Sequence, residues 1–114
     1  MKCERARHAL RSGATAVILG DGFGARLTAL RIIFFHGIGC VICDSKRSPW
    51  GYPFLWASFM RLVPTDSARL LLEQLYHVAD TCADSSCFLF FGNDRYRRLL
   101  SDSAAELETK FIII

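Results

Sequence analysis

The chain has 114 residues, enough for one compact domain but not for two. Hydrophobic residues make up 52% of it and charged residues 22%, a composition typical of a globular protein with a substantial core. The net charge of +3 is too small for a nucleic-acid-binding domain, which carries a strong basic patch. No apolar run is long enough to span a membrane, and no signal-peptide pattern follows Lys2. We therefore expect a cytoplasmic protein that binds neither nucleic acid nor membranes.

Strand-like and helix-like patterns alternate after a basic N-terminal arm at residues 1–13. The predicted strands cover residues 14–19, 39–43, 59–63, 87–91 and 111–114. The predicted helices cover residues 25–36, 65–79 and 94–100, and helical patterning resumes after Asp102. This alternation predicts an α/β fold over residues 14–114: a Rossmann-like three-layer domain with a mostly parallel sheet of about five strands.

Helical spacing also predicts which side chains face the sheet. On the first helix the pattern selects Leu27, Leu30, Ile33 and Phe34. On the second helix, capped by Thr65 or Asp66, the predicted stripe is Leu71, Leu72, Leu75 and Val78 or Ala79.

The five cysteines do not indicate a disulfide framework, because their number is odd. Cys40 and Cys43 form a C-x-x-C pattern, but it falls in a predicted strand. Side chains three residues apart on a strand point to opposite faces, so these two thiols should not meet. Cys82 and Cys87 lack the spacing of metal ligands. We predict no metal site and interpret most cysteines as small buried residues.

A glycine cluster follows the first strand, and a helix pattern opens directly after it. The sequence Gly20-x-Gly22-x-x-Ala25 fits the G-x-G-x-x-G/A dinucleotide fingerprint, and Asp44 follows Gly20 by 24 residues, near the spacing of a ribose-binding acid. The alternative is structural, because any domain of this class needs a tight first turn. Both interpretations stay open.

Three segments follow predicted strands and should share one edge of a parallel sheet, where ligands bind in such folds. The candidate ligand-binding residues are Gly20, Asp21, Gly22, Phe23, Gly24, Asp44, Ser45, Gly92, Asn93 and Asp94. Asn93 and Asp94 are also suited to capping the helix that follows, with Asp94 well placed for its free N–H groups. No Ser/His/Asp, Cys/His or paired-carboxylate arrangement is present in the order of residues, so no catalytic residue is predicted.

Aromatic residues are concentrated in the connection between the second and third strands. They are Trp50, Tyr52, Phe54 and Trp56. They either cover the sheet or form an interface with a neighbouring domain or a second chain.

The order of these motifs resembles that in ATP-grasp carboxylate–amine ligases. The resemblance begins with the run from Ala16 to Asp21 and continues through Gly37–Ser45, similar to the first βαβ unit of the family. It continues with Arg61-Leu62-Val63-Pro64 and the helix at Asp66. Leu89–Ser101, Ala105–Glu108 and Phe111–Ile114 are similar to the segment that closes the pre-ATP-grasp domain in D-aspartate ligase-like and carbamoyl-phosphate-synthase-like members.

This resemblance implies the N-terminal, substrate-side domain of a ligase that forms C–N bonds. The implied partners are a C-terminal ATP-grasp domain of the same protein, a small-molecule carboxylate substrate and a second copy in a homodimer. ATP and Mg²⁺ would be bound mainly by the ATP-grasp domain, so residues 14–114 alone would be inactive. The apolar ending Phe111–Ile114 leads us to expect that the chain is cut before that domain.

Two alternatives remain. The loop at Gly20–Gly24 is richer in glycine than expected for the ligases, which keeps an NAD- or FAD-binding module of an oxidoreductase as an alternative. However, such a module does not explain Gly92-Asn93-Asp94-Arg95-Tyr96. The other alternative is a stand-alone interaction module that dimerises through the aromatic connection.

Overall fold

The computed structural model describes residues 14–46, 57–82 and 86–114. The arm at 1–13 and the aromatic connection with Trp50, Tyr52, Phe54 and Trp56 lie outside the described residues. The elements in chain order are β1 (Ala14–Leu19), α1 (Phe23–His36), β2 (Gly39–Asp44), β3 (Ala57–Arg61), α2 (Ala68–Thr81), β4 (Ser86–Phe91), α3 (Asp94–Leu99), a 3₁₀ turn (Ser101–Ser103), α4 (Ala104–Leu107) and β5 (Ile112–Ile113).

The five strands form one sheet in the order β3-β2-β1-β4-β5, and every pairing is parallel. Leu19 at the end of β1 lies opposite Cys43 on β2 and Phe91 on β4. The three central strands therefore end at the same level, and the loops that follow them start side by side. The predicted α/β fold with a parallel sheet of about five strands is confirmed.

Two separate apolar cores make the domain three layers deep. On one face of the sheet, Ala25, Ala29 and Ile32 of α1 pack with strand residues that include Ile18 and Ile42. On the other face, α2, α3 and α4 cover the alternate strand residues. That larger core contains Val17, Leu19, Leu71, Leu75, Val78, Leu89, Tyr96, Leu107 and Phe111. Cys40 belongs to the first core and Cys43 to the second, as the strand geometry predicts.

The predicted buried face of α1 is largely wrong, although Ile33 is partly buried against the core on this face of the sheet. The helix buries Ala25, Arg26, Ala29 and Ile32, whereas Phe34 is 64% exposed. Apolar residues occur all round this helix, so their spacing does not select one face. The tertiary structure selects the side with two alanines, because small side chains let the helix axis approach the sheet closely.

The start of α2 also differs from the prediction. The N-cap is Ser67, whose Oγ accepts a hydrogen bond from the Leu70 N–H at 3.4 Å. Thr65 lies in the turn before the helix, where its Oγ1 accepts a hydrogen bond from the Ser67 N–H at 3.0 Å. The buried stripe from Leu71 to Ala79 is as predicted. β3 lies two residues earlier than predicted, because pairing with β2 ends where Asp44 meets Arg61.

We expect Ala29→Leu to destabilise the domain by about 1–3 kcal/mol, because Ala29 is fully buried between α1 and the sheet. The same change at exposed Ala105 on α4 should alter the free energy of unfolding by less than about 0.5 kcal/mol. Urea unfolding of both variants measures the difference. Equal midpoints would contradict the placement of Ala29 against the sheet.

Candidate functional site at the carboxyl edge of the sheet

The loops after β1, β2 and β4 are joined by backbone hydrogen bonds. The Gly20 N–H donates to the Cys43 carbonyl at 2.8 Å, and the Gly92 N–H donates to the Leu19 carbonyl at 2.7 Å. The structure thus brings the three predicted segments together at one edge. This edge is the candidate site.

Gly20 and Gly92 are required by the packing of two loops against each other. Gly20 has a φ of 115°, which L side chains rarely adopt, and a Cβ there would lie 2.8 Å from Asn93 Nδ2. A Cβ on Gly92 would lie 2.5 Å from the Gly20 carbonyl oxygen. That neighbour is backbone and has little freedom to move. These two glycines therefore have a structural explanation.

Gly22 and Gly24 have no such explanation. Gly22 has an extended φ of −172°, and among the described residues nothing lies within 4 Å of a Cβ placed on either glycine. They flank the N-terminus of α1, which has no side-chain cap and no acidic residue in its first turn. Backbone N–H groups at such a terminus favour an anion, and the missing side chains leave room for one to approach.

Asp21 turns inward instead of facing this open surface. Its carboxylate receives hydrogen bonds from Arg26, at 2.7 Å between Nε and Oδ1 and 2.8 Å between Nη2 and Oδ2. The two side chains are 0% and 3% exposed. A buried bidentate pair of this kind fixes the loop to the first turns of α1. The exposed Phe23 stands beside it at the start of the helix.

The Asp44 carboxylate holds the three loops in position. Its Oδ2 accepts from the Asp21 N–H at 2.8 Å, and its Oδ1 accepts from the Tyr96 hydroxyl at 2.5 Å and from the Ser45 N–H at 2.7 Å. Burial and the hydrogen bond to Asp44 both raise the pKa of Tyr96. Asp44 therefore uses most of its acceptor capacity inside the protein.

Asn93 is the N-cap of α3, because its Oδ1 accepts from the Tyr96 N–H at 3.0 Å. Asp94 is the first residue of that helix and is exposed. The cap thus falls on Asn93, and Asp94 adds a favourable negative charge to the first turn. By capping α3, Asn93 orients Tyr96 toward Asp44.

Sequence reasoning missed Arg26 and Tyr96 as parts of this edge. Arg26 had a weak signal, namely a charged residue among the apolar residues of α1. Tyr96 lies within the Gly92–Ser101 run that carries the ligase resemblance, but its contact with Asp44 joins residues 52 positions apart.

A cavity of about 420 Å³ lies beside the edge, between the end of β3 and α2. Its walls include Leu62, Val63, Leu70 and His77, and none of the predicted site residues lines it. Gln74 closes one side, since its side chain accepts from the Val63 N–H and donates to the Val63 carbonyl.

In the described ranges, no group of three or more His, Cys, Asp or Glu side chains is arranged to hold a metal ion. Two of the carboxylates at the edge, Asp21 and Asp44, are engaged with Arg26 and Tyr96, whereas Asp94 is exposed. None of the helices in the described part of the chain is long and apolar enough to cross a bilayer.

The packing of the two loops predicts a specific cost for a methyl group at position 92. Gly92→Ala should destabilise the domain by about 2 kcal/mol or more, because the new Cβ meets backbone. Gly24→Ala adds the same atom in open space on α1 and should be neutral or slightly stabilising. Chemical denaturation distinguishes the two, and an equal effect of both changes would refute the close approach of Gly92 to Gly20.

The bond between Tyr96 and Asp44 predicts a stability loss that depends on pH. Tyr96→Phe should cost about 1.5–3 kcal/mol at neutral pH, as for other hydrogen bonds to a charged group. The pKa of Tyr96 is raised above the usual 10.0, so its stabilising effect is complete below pH 10 and declines as the pH rises above that value.

Urea titrations of wild type and Tyr96→Phe from neutral to alkaline pH measure this difference. Tyr76→Phe is the matched control, because the Tyr76 hydroxyl bonds an exposed neutral carbonyl at 3.3 Å and should contribute less than about 1 kcal/mol. A Tyr96→Phe cost that stays constant above pH 10 would argue against the assigned pKa shift.

No protein-family model, curated protein or solved structure matches the chain. The function of the edge is therefore inferred from its residues, its fold and the motif resemblance.

Proposed function

We propose that residues 14–114 form the substrate-side domain of an ATP-dependent carboxylate–amine ligase. The observation that carries the proposal is the hydrogen bond from Tyr96 to Asp44. It joins the Gly92–Ser101 run to the end of β2, so two segments that separately resemble the ligases form one structural unit. The proposed partner in catalysis is an ATP-grasp domain of the same protein, acting in the cytoplasm, where ATP is abundant.

The open end of α1 supports a role in holding an anionic substrate. Gly22 and Gly24 leave the helix N-terminus accessible, while Asp21, Arg26 and Asp44 fix the surrounding loop. A substrate carboxylate or its phosphorylated form would be held there by backbone N–H groups and by the helix dipole. The rigid loop would keep the reacting carbon at a constant position relative to the neighbouring domain.

The chemistry is supplied mainly from outside this chain. ATP and Mg²⁺, held by the ATP-grasp domain, would supply the phosphoryl group that activates the substrate carboxylate, with ADP as the leaving group, and phosphate would leave when the amine attacks the acyl carbon. The described residues bind and orient the substrate. Asp21 and Asp44 have their carboxylates committed to structural bonds and are not assigned a proton-transfer role.

A dinucleotide-binding module is the second candidate. It is favoured by the strand order β3-β2-β1-β4-β5 together with the open glycines at positions 22 and 24. It is disfavoured by Asp44, because an acid that binds ribose hydroxyls needs accessible oxygens, and both Asp44 oxygens already accept hydrogen bonds within the chain.

The ligase proposal is tested on the native gene product, purified from its source with an antibody raised against this chain. Incubation with ATP, Mg²⁺ and pooled amino acids and carboxylic acids should release ADP and phosphate, and omission of either the carboxylate or the amine should stop the release. Release of AMP and pyrophosphate, or no ATP consumption with any pool, would overturn the proposal.

Calorimetry with NAD⁺, NADH, NADP⁺ and FAD tests the second candidate directly. The ligase proposal predicts no binding of these dinucleotides. If one of them binds, Gly22→Val should abolish binding, while Gly39→Val should preserve it. Gly39 also has open space around its Cβ position, but it lies at the opposite end of β2.

A further inference from the structure

The helix α1 is apolar on two opposite sides, and the sheet covers one of them. Ala25, Ala29 and Ile32 pack in the core between the helix and the sheet. At about 100° per residue, a second apolar stripe runs along the side directly opposite to those three residues. This outer stripe consists of Phe23, Leu27, Leu30 and Phe34. A helix that is apolar all round is typical of one whose outer side is covered as well.

The outer stripe ends in an exposed aromatic ring at each end. Phe23 is 60% exposed and Phe34 is 64% exposed, while Leu27 and Leu30 between them are partly buried. Within the described ranges, none of the four belongs to either apolar core. Exposed aromatic rings aligned in one stripe are typical of an interaction surface.

The outer stripe is symmetrical along the helix. Its four residues are separated by four, three and four positions, which is the spacing of a seam between paired helices. The order Phe, Leu, Leu, Phe also reads the same in both directions. The stripe is therefore complementary to itself when a second helix runs antiparallel, and a two-fold contact requires a self-complementary surface.

We propose that α1 joins two copies of this chain as an antiparallel helix pair about a two-fold axis. The axis crosses the middle of the helix, so Phe23 of each copy meets Phe34 of the other, and Leu27 meets Leu30. The aromatic rings pack against each other at both ends of the seam, and the leucines fill its centre. The pairing does not depend on the proposed ligase function, because its seam is formed by the outer side of α1 alone.

The charge on α1 favours the antiparallel arrangement over the parallel one. Arg31 flanks the outer stripe and is exposed. A parallel pair would place the two Arg31 side chains at the same level, with repulsion between like charges. The antiparallel pair separates them by five positions, about 7.5 Å along the axes. It also sets each helix N-terminus beside the C-terminus of the other helix, where the opposed dipoles attract.

The area of the outer stripe sets the expected affinity. From their exposed fractions, Phe23 and Phe34 each have roughly 100–150 Å² available for contact. The four rings of a dimer would then bury about 400–600 Å², and the leucines add to this. The total is below the ~1,200 Å² of a standard stable interface. We therefore expect a dissociable dimer with a Kd on the order of 10–100 µM.

Sedimentation velocity of the purified chain from low to high micromolar concentration measures the association. Phe34→Glu places a buried charge in the seam and should raise the Kd at least ~30-fold. Phe35→Glu is the matched control, because Phe35 is 79% exposed but lies about 100° round the helix from Phe34. It should change the Kd less than ~3-fold. Both positions are exposed, so the urea midpoints of both variants should stay near that of wild type.

Cysteine cross-linking tests the orientation of the pair. In an equimolar mixture of Phe23→Cys and Phe34→Cys chains, mild oxidation should join position 23 of one copy to position 34 of the other, as identified by mass spectrometry. Either variant alone should form no disulfide between like positions. Those positions lie about 16 Å apart along the axes of an antiparallel pair, beyond the reach of a disulfide.

Four results would overturn the proposal. A chain that stays monomeric at high micromolar concentration would assign the outer stripe to a different partner. Disulfides between like positions would require parallel helices, and a dimer without the link from 23 to 34 would exclude this seam. A dimer that Trp56→Ala dissociates and Phe34→Glu leaves intact would assign the interface to the aromatic connection.

Discussion

The Asp44 carboxylate is the interaction on which the carboxyl edge of the sheet depends. It accepts hydrogen bonds from the Asp21 backbone, from the Ser45 backbone and from the Tyr96 hydroxyl. These donors come from the loops after β1 and β2 and from α3. If the carboxylate were removed, the partly buried Asp21 N–H and Tyr96 hydroxyl would lose their acceptor, at the usual cost of an unsatisfied polar group.

The glycines around this carboxylate have two different roles. Gly20 and Gly92 allow two backbones to come closer than any side chain permits. Gly22 and Gly24 are not needed for that contact and leave the N-terminus of α1 open. A glycine that packing does not explain is the stronger indication of ligand approach, because its conformational freedom has an entropic cost in a helix or loop. This contrast supports the proposed substrate role more directly than the G-x-G-x-x-A pattern does.

The alternation of apolar strands and amphipathic patterns was sufficient to predict the parallel sheet and the edge where Gly20, Asp44 and Gly92 meet. Local sequence determines these features, because strand burial and turn chemistry act over a few residues. Only the tertiary structure decided that α1 packs through Ala25 and Ala29 and that Asp44 binds Tyr96. The rotation of a helix and the contacts between separate elements depend on how whole surfaces pack together. The sequence of an apolar helix without a distinct polar face does not indicate which side will pack against the sheet.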